Sequence, residues 1–414
     1  MNEFRKTAVA TPSGDSDIEA HLRRFKPTVA SKIAYAARII PSLAWQKMIR
    51  AVPRGQLHLI FALADHFEPA IIPADGRRRA SADEQERRLE RWCREYPRLA
   101  NEFRDADGRP FQHTYFYPAE QYDKGLIDRL AEHCHEGWGE TEIHLHHGVR
   151  QPDTAENTRR TLIAFRDALE ERGCLSYLDS VGMPRYAFVH GNFALANSAG
   201  GRGCGVDSEM QILADTGCYA DLTLPTGVFY RAQTAKINSL YECRLPLDQR
   251  APHREGHDLT VGIEPRVFPL ILQGPLLITA GKKRRCGIEN GALVGSNPPT
   301  LRRLQLWKQA AISVKGRPDW LFIKLHCHSM DPTHERAVLG QGMKSFLQEL
   351  VLDAKDRQET LHFVSAREMA NIALAACAGR EGNPGEYRDY RLKRVRDASP
   401  NARAAANSIT LVKG

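Results

Sequence analysis

Two segments of the chain each carry a pair of histidines in an alternating, apolar pattern. One reads Glu-Ile-His-Leu-His-His at residues 142–147, and the other reads Lys-Leu-His-Cys-His at residues 324–328. Because successive side chains of a strand point to opposite faces, the two histidines of each pair share a face. Imidazole is the commonest protein ligand for zinc-like ions and titrates near neutral pH. The two segments therefore predict a hydrolytic metal site, with ordinary buried or surface histidines as the alternative.

A carboxylate stands at the end of another apolar run, Phe-Ala-Leu-Ala-Asp-His-Phe-Glu-Pro at residues 61–69. Asp65 could supply an oxygen ligand or a general base. The alternative is that it caps the loop that follows. Two histidines and a carboxylate leave one coordination position of a zinc ion open, where the ion can acidify a water and polarise a carbonyl.

Apolar runs of strand length alternate with helical patterns through the middle of the chain. The predicted strands cover residues 57–65, 114–117, 142–147, 186–190, 221–224, 259–263, 321–325 and a last one from 361. The predicted helices cover residues 82–103, 126–135, 154–172, 208–216, 301–311, 335–352 and a last one ending at 376. Such alternation is typical of parallel strands with crossover helices. Seven or eight units predict an α/β fold, a distorted (β/α)7–8 barrel.

Polar side chains fall where five of these strand patterns end. They are Asp65 with His66, Tyr117 with Glu120, His144 with His146, His190 with Asn192, and His326 with His328. In barrels of this class the chemistry sits at the carboxyl ends of the strands. The prediction is therefore that these groups meet at one rim.

The net charge of +8 comes from the two ends of the chain. Residues 1–54 hold ten Lys or Arg against four Asp or Glu, and residues 378–414 hold eight against four, so the stretch between them is slightly acidic. That stretch does not interleave aromatic residues with arginines as an RNA-binding surface does. We therefore expect no nucleic-acid partner.

The nine cysteines are scattered and form no Cys-x-x-Cys pair. This argues against a disulfide framework or a cysteine-based zinc site and favours a reducing compartment, the cytoplasm. The sequence has no run of about 18 apolar residues, so we predict no transmembrane segment. The basic helical segment at 18–52, with breaks predicted at Pro27 and Pro41, could contact a membrane surface, although such segments more often pack on their own domain.

Three regions follow from these patterns. Residues 1–55 are expected to be a disordered start and a basic helical extension. Residues 56–377 are expected to form the barrel, and residues 378–414 a basic tail. The acidic Asp207 and Glu209 open a predicted helix, where negative charge favours the helix dipole, so no catalytic role is assigned to them.

The order of Asp65, the 142–147 segment and the 324–328 segment resembles the polysaccharide deacetylase superfamily, the NodB-homology carbohydrate esterases. The phrases at residues 65–69, 190–195 and 217–221 resemble a divergent, deacetylase-like branch of it. The resemblance covers residues 57–376 and implies a distorted βα barrel. It also implies the removal of acetyl groups from a glycan with a metal held by Asp and His.

The resemblance implies roles for single residues. It matches Asp65 and His146 to metal ligands and His326 to the general acid that protonates the leaving amine. His190 and Asn192 fall where the family lines its substrate groove, and Asp221 falls near the next motif.

Two positions depart from the family pattern. Ala64 replaces the family's catalytic base, so a base must come from Glu68, Glu120 or His66. Arg150 replaces its last metal ligand, so a further ligand must come from His144, His147, His66 or His190.

Three functions fit these observations. The first is a metal-dependent hydrolase, with zinc and alternatively cobalt or nickel, that removes acetyl groups as amide or ester from a carbohydrate. The second is a catalytically silent barrel that binds glycan or assists polysaccharide biosynthesis. The third is an amidohydrolase-type barrel, which ranks lower because its His-x-His pair belongs on the first strand.

Overall fold

A computed structural model describes residues 29–51, 53, 55–72, 79–179, 181–226, 236–280 and 286–395. The predicted disordered start, the basic cluster at 282–285 and the end of the predicted tail lie outside these ranges. The helices are α1 (Val29–Ile49), α2 (Ala82–Asn101), α3 (Lys124–His135), α4 (Ala155–Glu170), α5 (Glu209–Asp215), α6 (Leu301–Gln309), α7 (Glu335–Val338), α8 (Gln341–Asp356) and α9 (Ala366–Cys377).

The strands vary from two to ten residues in length. They are β1 (His58–His66), β2 (Thr114–Pro118), β3 (Glu140–Leu145), β4 (Ser176–Leu178), β5 (Val181–His190), β6 (Cys218–Asp221), β7 (Leu240–Cys243), β8 (Gly256–Asp258), β9 (Leu270–Leu272), β10 (Leu277–Ala280), β11 (Cys286–Glu289), β12 (Ala292–Leu293), β13 (Trp320–Cys327), β14 (Thr360–Phe363) and β15 (Leu392–Arg394).

The main sheet is curled and has the order β12-β13-β1-β2-β3-β5-β6-β9-β7-β8. Its neighbours from β12 to β9 pair in parallel, as the alternating pattern predicted. Among the described strands the two ends of this order do not pair with each other. The mixed α/β class is confirmed, and the strand pairing shows an open, curled sheet.

The segment after β6 departs from the predicted alternation. β7 pairs antiparallel with both β8 and β9, and the predicted strand at 259–263 forms isolated bridges from Thr260 to Ile263 and to Lys315. The described part of residues 218–300 holds no α-helix, and its Pro252–Arg254 segment is a short 3₁₀ helix. The alternating pattern was therefore a poor guide here, because short antiparallel strands need only turns between them.

The pleat of β1 separates two cores. Leu59, Phe61 and Leu63 belong to the core that includes Trp92 of α2. Ile60, Ala62 and Ala64 belong to the opposite core, which also contains most of α9. This alternation decides which polar side chains can meet at the strand ends.

Helix α9 is buried along its whole length. Its first turn lies at the amino ends of β2 and β3, where the guanidinium of Arg367 binds the Glu140 carboxylate with an Nη2–Oε1 distance of 2.7 Å. The C-terminal segment packs back on the same end, because Arg388 binds Asp105 and Asp107, each at 2.7 Å. The described part of the predicted tail is thus fixed to the body.

Helix α1 continues through Pro41, where a break was predicted. One side of it packs on the body, with Tyr35 and Ile39 against Ile237 and Leu276. Among the described helices, none is long and apolar enough to cross a membrane.

Candidate metal centre

The carboxyl ends of β1, β3 and β13 meet at one edge of the sheet, because these strands run parallel. His66 ends β1, and Glu68 follows it in a turn closed by a hydrogen bond from Ile71 N to Glu68 O of 3.0 Å. The ring of His66 lies 4.7 Å from that of His144 and 4.5 Å from that of His328, between centroids. The predicted convergence of histidines at this edge is what the structure shows.

His144 has its tautomer fixed by the backbone. Its Nδ1 donates to the Val189 carbonyl at 2.8 Å, so Nε2 is the ring nitrogen that faces the other side chains of the site. This Nε2 lies 3.4 Å from Glu68 Oε1, and it has no hydrogen-bond partner among the described residues. Because His144 is fully buried, this nitrogen and the carboxylate oxygen need a shared proton or a metal ion between them.

His146 lies between two carboxylates. Its Nδ1 donates to Glu120 Oε1 at 2.8 Å, and its Nε2 lies 3.0 Å from Glu68 Oε1. Burial alone would lower the pKa of His146, but the two carboxylates outweigh it and raise that pKa to about 10. A carboxylate that holds Nδ1 while Nε2 faces an ion is the usual outer support of a zinc-binding histidine.

Glu68 is the carboxylate that completes this group. It is 5% exposed, and burial by itself would raise its pKa. The adjacent His146 and His144 outweigh that effect and hold the pKa of Glu68 well below its usual range. Zinc bonds of about 2.0 to 2.2 Å in a tetrahedron place ligand atoms about 3.3 to 3.6 Å apart, close to the separations observed here. Glu68, His144 and His146, named here the open centre, could hold a metal ion.

The two late histidines differ in their access to the open centre. His328 Nε2 lies 4.0 Å from Glu68 Oε2, and its side chain is 27% exposed. His326 lies further back, with its ring 6.3 Å from that of His66. Burial lowers the pKa of both rings, that of His326 well below its usual range and that of His328 below its usual value.

Glu120, predicted as a catalytic base, has both oxygens occupied. Oε1 accepts from His146 Nδ1, and Oε2 accepts from the His146 backbone N–H at 3.2 Å. The structure therefore gives Glu120 a positioning role toward His146.

The structure does not place Asp65 with His144 and His146, although the resemblance implied it. Asp65 points to the opposite face of β1, where it accepts from His113 Nε2 and Ser329 N, each at 2.8 Å. Burial by itself would raise the pKa of Asp65, but the hydrogen bonds from His113 and Ser329 outweigh it and hold that pKa below its usual value. Its carboxylate joins the end of β1 to the loop after β13.

His147 and His190 also lie outside the open centre. Strand β3 ends at Leu145, two residues earlier than predicted, so His147 turns away and meets His190 and Glu209. His147 Nε2 lies 2.8 Å from Glu209 Oε1. Glu209 opens α5, as predicted, but its carboxylate is fully buried and also contacts His147.

Asn192 and Asp221, the predicted groove residues, are held by contacts within the protein. Asn192 is half-buried, and its Nδ2 donates to the carbonyls of His147 and Gly203 at 3.0 and 3.2 Å, which ties the loop after β5 together. Asp221 is fully buried and accepts from the Thr223 hydroxyl at 2.7 Å, and burial raises its pKa to about 7. A substrate would not reach Asp221 in this arrangement.

Sequence reasoning missed three partners of the predicted site residues. His113 holds Asp65, Cys204 lies against Glu209, and Gly191 lets the His146 ring lie against its backbone. Alternation along a strand carries no signal for them, because the contacts of His113 and Gly191 join segments far apart in the chain and Cys204 lies in an irregular loop.

Two comparisons with known proteins bear on the chain as a whole. A scan against protein-family models gave no match, and a search of curated proteins gave no significant relative. The open centre is therefore interpreted from its own geometry.

Proposed function

We propose that this protein is a metal-dependent hydrolase, similar to polysaccharide deacetylases, that removes acetyl groups from a carbohydrate. The observation that carries the proposal is the open centre. His144 and His146 each use Nδ1 in a hydrogen bond, and their Nε2 atoms face the buried Glu68 carboxylate at the carboxyl edge of the sheet. Nitrogen and oxygen donors in this number suit zinc, with cobalt or nickel as alternatives.

The residues around the open centre have different roles in the proposed reaction. When bound, a divalent ion would polarise an acetyl carbonyl and acidify a water. Glu120 and the Val189 carbonyl keep His146 and His144 in the ligating tautomer. His66, one of the predicted bases, is 3% exposed, and its Nδ1 has no hydrogen-bond partner within the described ranges.

His328, rather than His326, is the side chain placed to protonate the leaving group. Its Nε2 lies 4.0 Å from Glu68 Oε2 and its side chain reaches solvent, whereas His326 is buried and its ring lies farther from that of His66, at 6.3 Å against 4.5 Å for His328. A general acid must reach the atom that it protonates. We expect His328→Gln to lower turnover more than His326→Gln. Equal losses would contradict the assignment of the general acid to His328 alone.

Metal analysis and acetate release test the proposal together. The purified full chain is expected to carry zinc and to release acetate from an acetylated chito-oligosaccharide. His146→Ala and Glu68→Gln should lose both properties, while His257→Ala, an exposed histidine on β8, should keep them. A chain that carries no ion, and whose activity survives His146→Ala, would refute the mechanism.

A second function is favoured by one observation. Asp65, the residue that the resemblance matches to a metal ligand, is saturated by hydrogen bonds on the other face of the sheet. Together with Ala64 and Arg150, this favours a silent barrel that binds glycan. Glycan binding that is unchanged in His146→Ala, with no acetate release from the wild type, would support this function over the first.

The proposal for membrane contact concerns α1. Away from the side that carries Tyr35 and Ile39, the helix exposes Trp45, Met48 and Ile49 at 60%, 78% and 57%. Exposed apolar residues beside basic ones suit an anionic membrane surface. Sedimentation with vesicles that contain phosphatidylserine should fall in Trp45→Ser with Met48→Ser, and unchanged sedimentation would refute this contact.

A further inference from the structure

A second group of metal-binding side chains lies behind the open centre. It consists of His147, His190, Cys204 and Glu209, named here the closed cluster. All four are buried, and their candidate ligand atoms lie within 4.8 Å of one another. We propose that the closed cluster binds a structural zinc ion, separate from the ion of the open centre. Four buried ligands without an open position are typical of structural zinc sites.

The separations within the closed cluster suit one ion. His147 Nε2 lies 2.8 Å from Glu209 Oε1 and 3.1 Å from His190 Nε2. Cys204 Sγ lies 3.5 Å from Glu209 Oε2. Zinc bonds of about 2.0 to 2.3 Å arranged in a tetrahedron place ligand atoms about 3.3 to 3.8 Å apart. An ion would therefore fit after small movements of the side chains.

Cys204 has the surroundings of a ligating thiolate. Its sulfur accepts backbone N–H groups from Asn197 at 3.3 Å and Val206 at 3.4 Å. Burial and the nearby Glu209 carboxylate raise the pKa of this thiol, and the hydrogen bonds to its sulfur oppose that shift. The thiolate is the form that binds metal. A buried thiol that only filled space would not need two donors directed at its sulfur.

His147 has the outer support of a zinc-binding histidine. Its Nδ1 lies 3.0 Å from Asp153 Oδ2, which leaves Nε2 to face the closed cluster. His190 Nδ1 instead accepts the Asn192 backbone N–H at 3.1 Å, which places its proton on Nε2. If His190 binds the ion, it loses the hydrogen bond from the Asn192 N–H and gains a bond to the metal. The exchange is favourable, because a single hydrogen bond contributes far less than metal binding.

A zinc ion here would fix the long loop between β5 and α5. Residues 191–208 contain only one turn of 3₁₀ helix, and Phe193 and Ala196 have positive φ angles of 55° and 46°. Irregular segments of this length need an anchor or a function. The same loop carries Gly191, which lies against the His146 ring. The closed cluster would thus support the open centre from behind.

Cobalt substitution tests the closed cluster directly, because it is the one candidate metal group among the described residues that offers a sulfur ligand beside two imidazoles. The full chain, purified with zinc and then exchanged with Co²⁺, should bind two ions and show a thiolate-to-cobalt charge-transfer band in the near ultraviolet. Cys204→Ser should lose the band and one ion. Cys327→Ser, which changes the buried cysteine beside Asp65, should keep both.

The outcomes separate this proposal from the proposed function. His146→Ala should lose the ion of the open centre and keep the charge-transfer band. A wild-type chain that shows no band with Co²⁺, or a band that persists in Cys204→Ser, would overturn the closed cluster as a metal site. If the Cys204 variant fails to fold, a wild-type chain without the band still overturns the proposal, and a band that survives in Cys327→Ser still supports it.

Discussion

The position of the His146 ring depends on the absence of a side chain at residue 191. A Cβ added to Gly191 would lie 2.3 Å from His146 Cδ2, 2.5 Å from Cγ and 2.7 Å from Nε2. Ordinary contacts of a Cβ begin near 3.4 Å, so the ring would have to move by about 1 Å. The backbone cannot easily yield instead, because Gly191 N donates to the Leu145 carbonyl at 2.8 Å.

The size of the effect follows from this displacement. Metal–ligand distances tolerate only about 0.2 Å, so a shift of about 1 Å removes His146 from an ion's coordination sphere. Loss of outer support alone costs about 10 to 100-fold in affinity, and the displacement of a ligand should cost at least as much. Overpacking should also lower the free energy of unfolding by about 1 to 3 kcal/mol.

Zinc titration of Gly191→Ala against a competing chelator measures this effect. Gly125→Ala is the matched control, because a Cβ on this residue of α3 meets nothing closer than Asp123 Oδ1 at 3.4 Å. The double variant Gly191→Ala with His146→Ala should bind no more weakly than His146→Ala alone, since the two changes remove the same ligand. Wild-type zinc affinity in Gly191→Ala would refute the assignment of His146 as a ligand.

Three further predictions concern side chains around the sheet. Glu120→Gln should weaken zinc binding about 10 to 100-fold, and equal affinity in a competition titration would exclude the positioning role. Asp65→Asn should lower the free energy of unfolding by about 3 kcal/mol in urea titrations, and a parallel loss of zinc would contradict its separation from the open centre. Burial, opposed only in part by hydrogen bonds from Tyr219 and the Ala187 N–H, raises the pKa of Glu142 to about 8. The folded state therefore keeps a proton that the unfolded chain releases near pH 4.5, so stability should fall by up to about 5 kcal/mol as pH rises between these values. Glu142→Gln should flatten this dependence, and an unchanged pH profile would refute it.

The parallel part of the sheet could be predicted well because its signals are local. The predicted helix at 82–103 and the strand at 321–325 correspond to α2 and β13 within a few residues. The signal failed between β6 and β12, where short strands pair antiparallel and long-range pairing outweighs local pattern.

At the site, local pattern is enough to predict that His144 and His146 share a face, since alternation is a property of any strand. The same pattern predicts that Glu68 lies just beyond the end of β1. It does not predict that Glu68 meets these histidines while Asp65 does not, which depends on the folded sheet. Alternation requires neighbouring side chains of β1 to point to opposite faces of the sheet. Which of these faces contacts the histidines depends on the register and curl of the sheet. That register is set by packing between segments far apart in the chain, which no local pattern records.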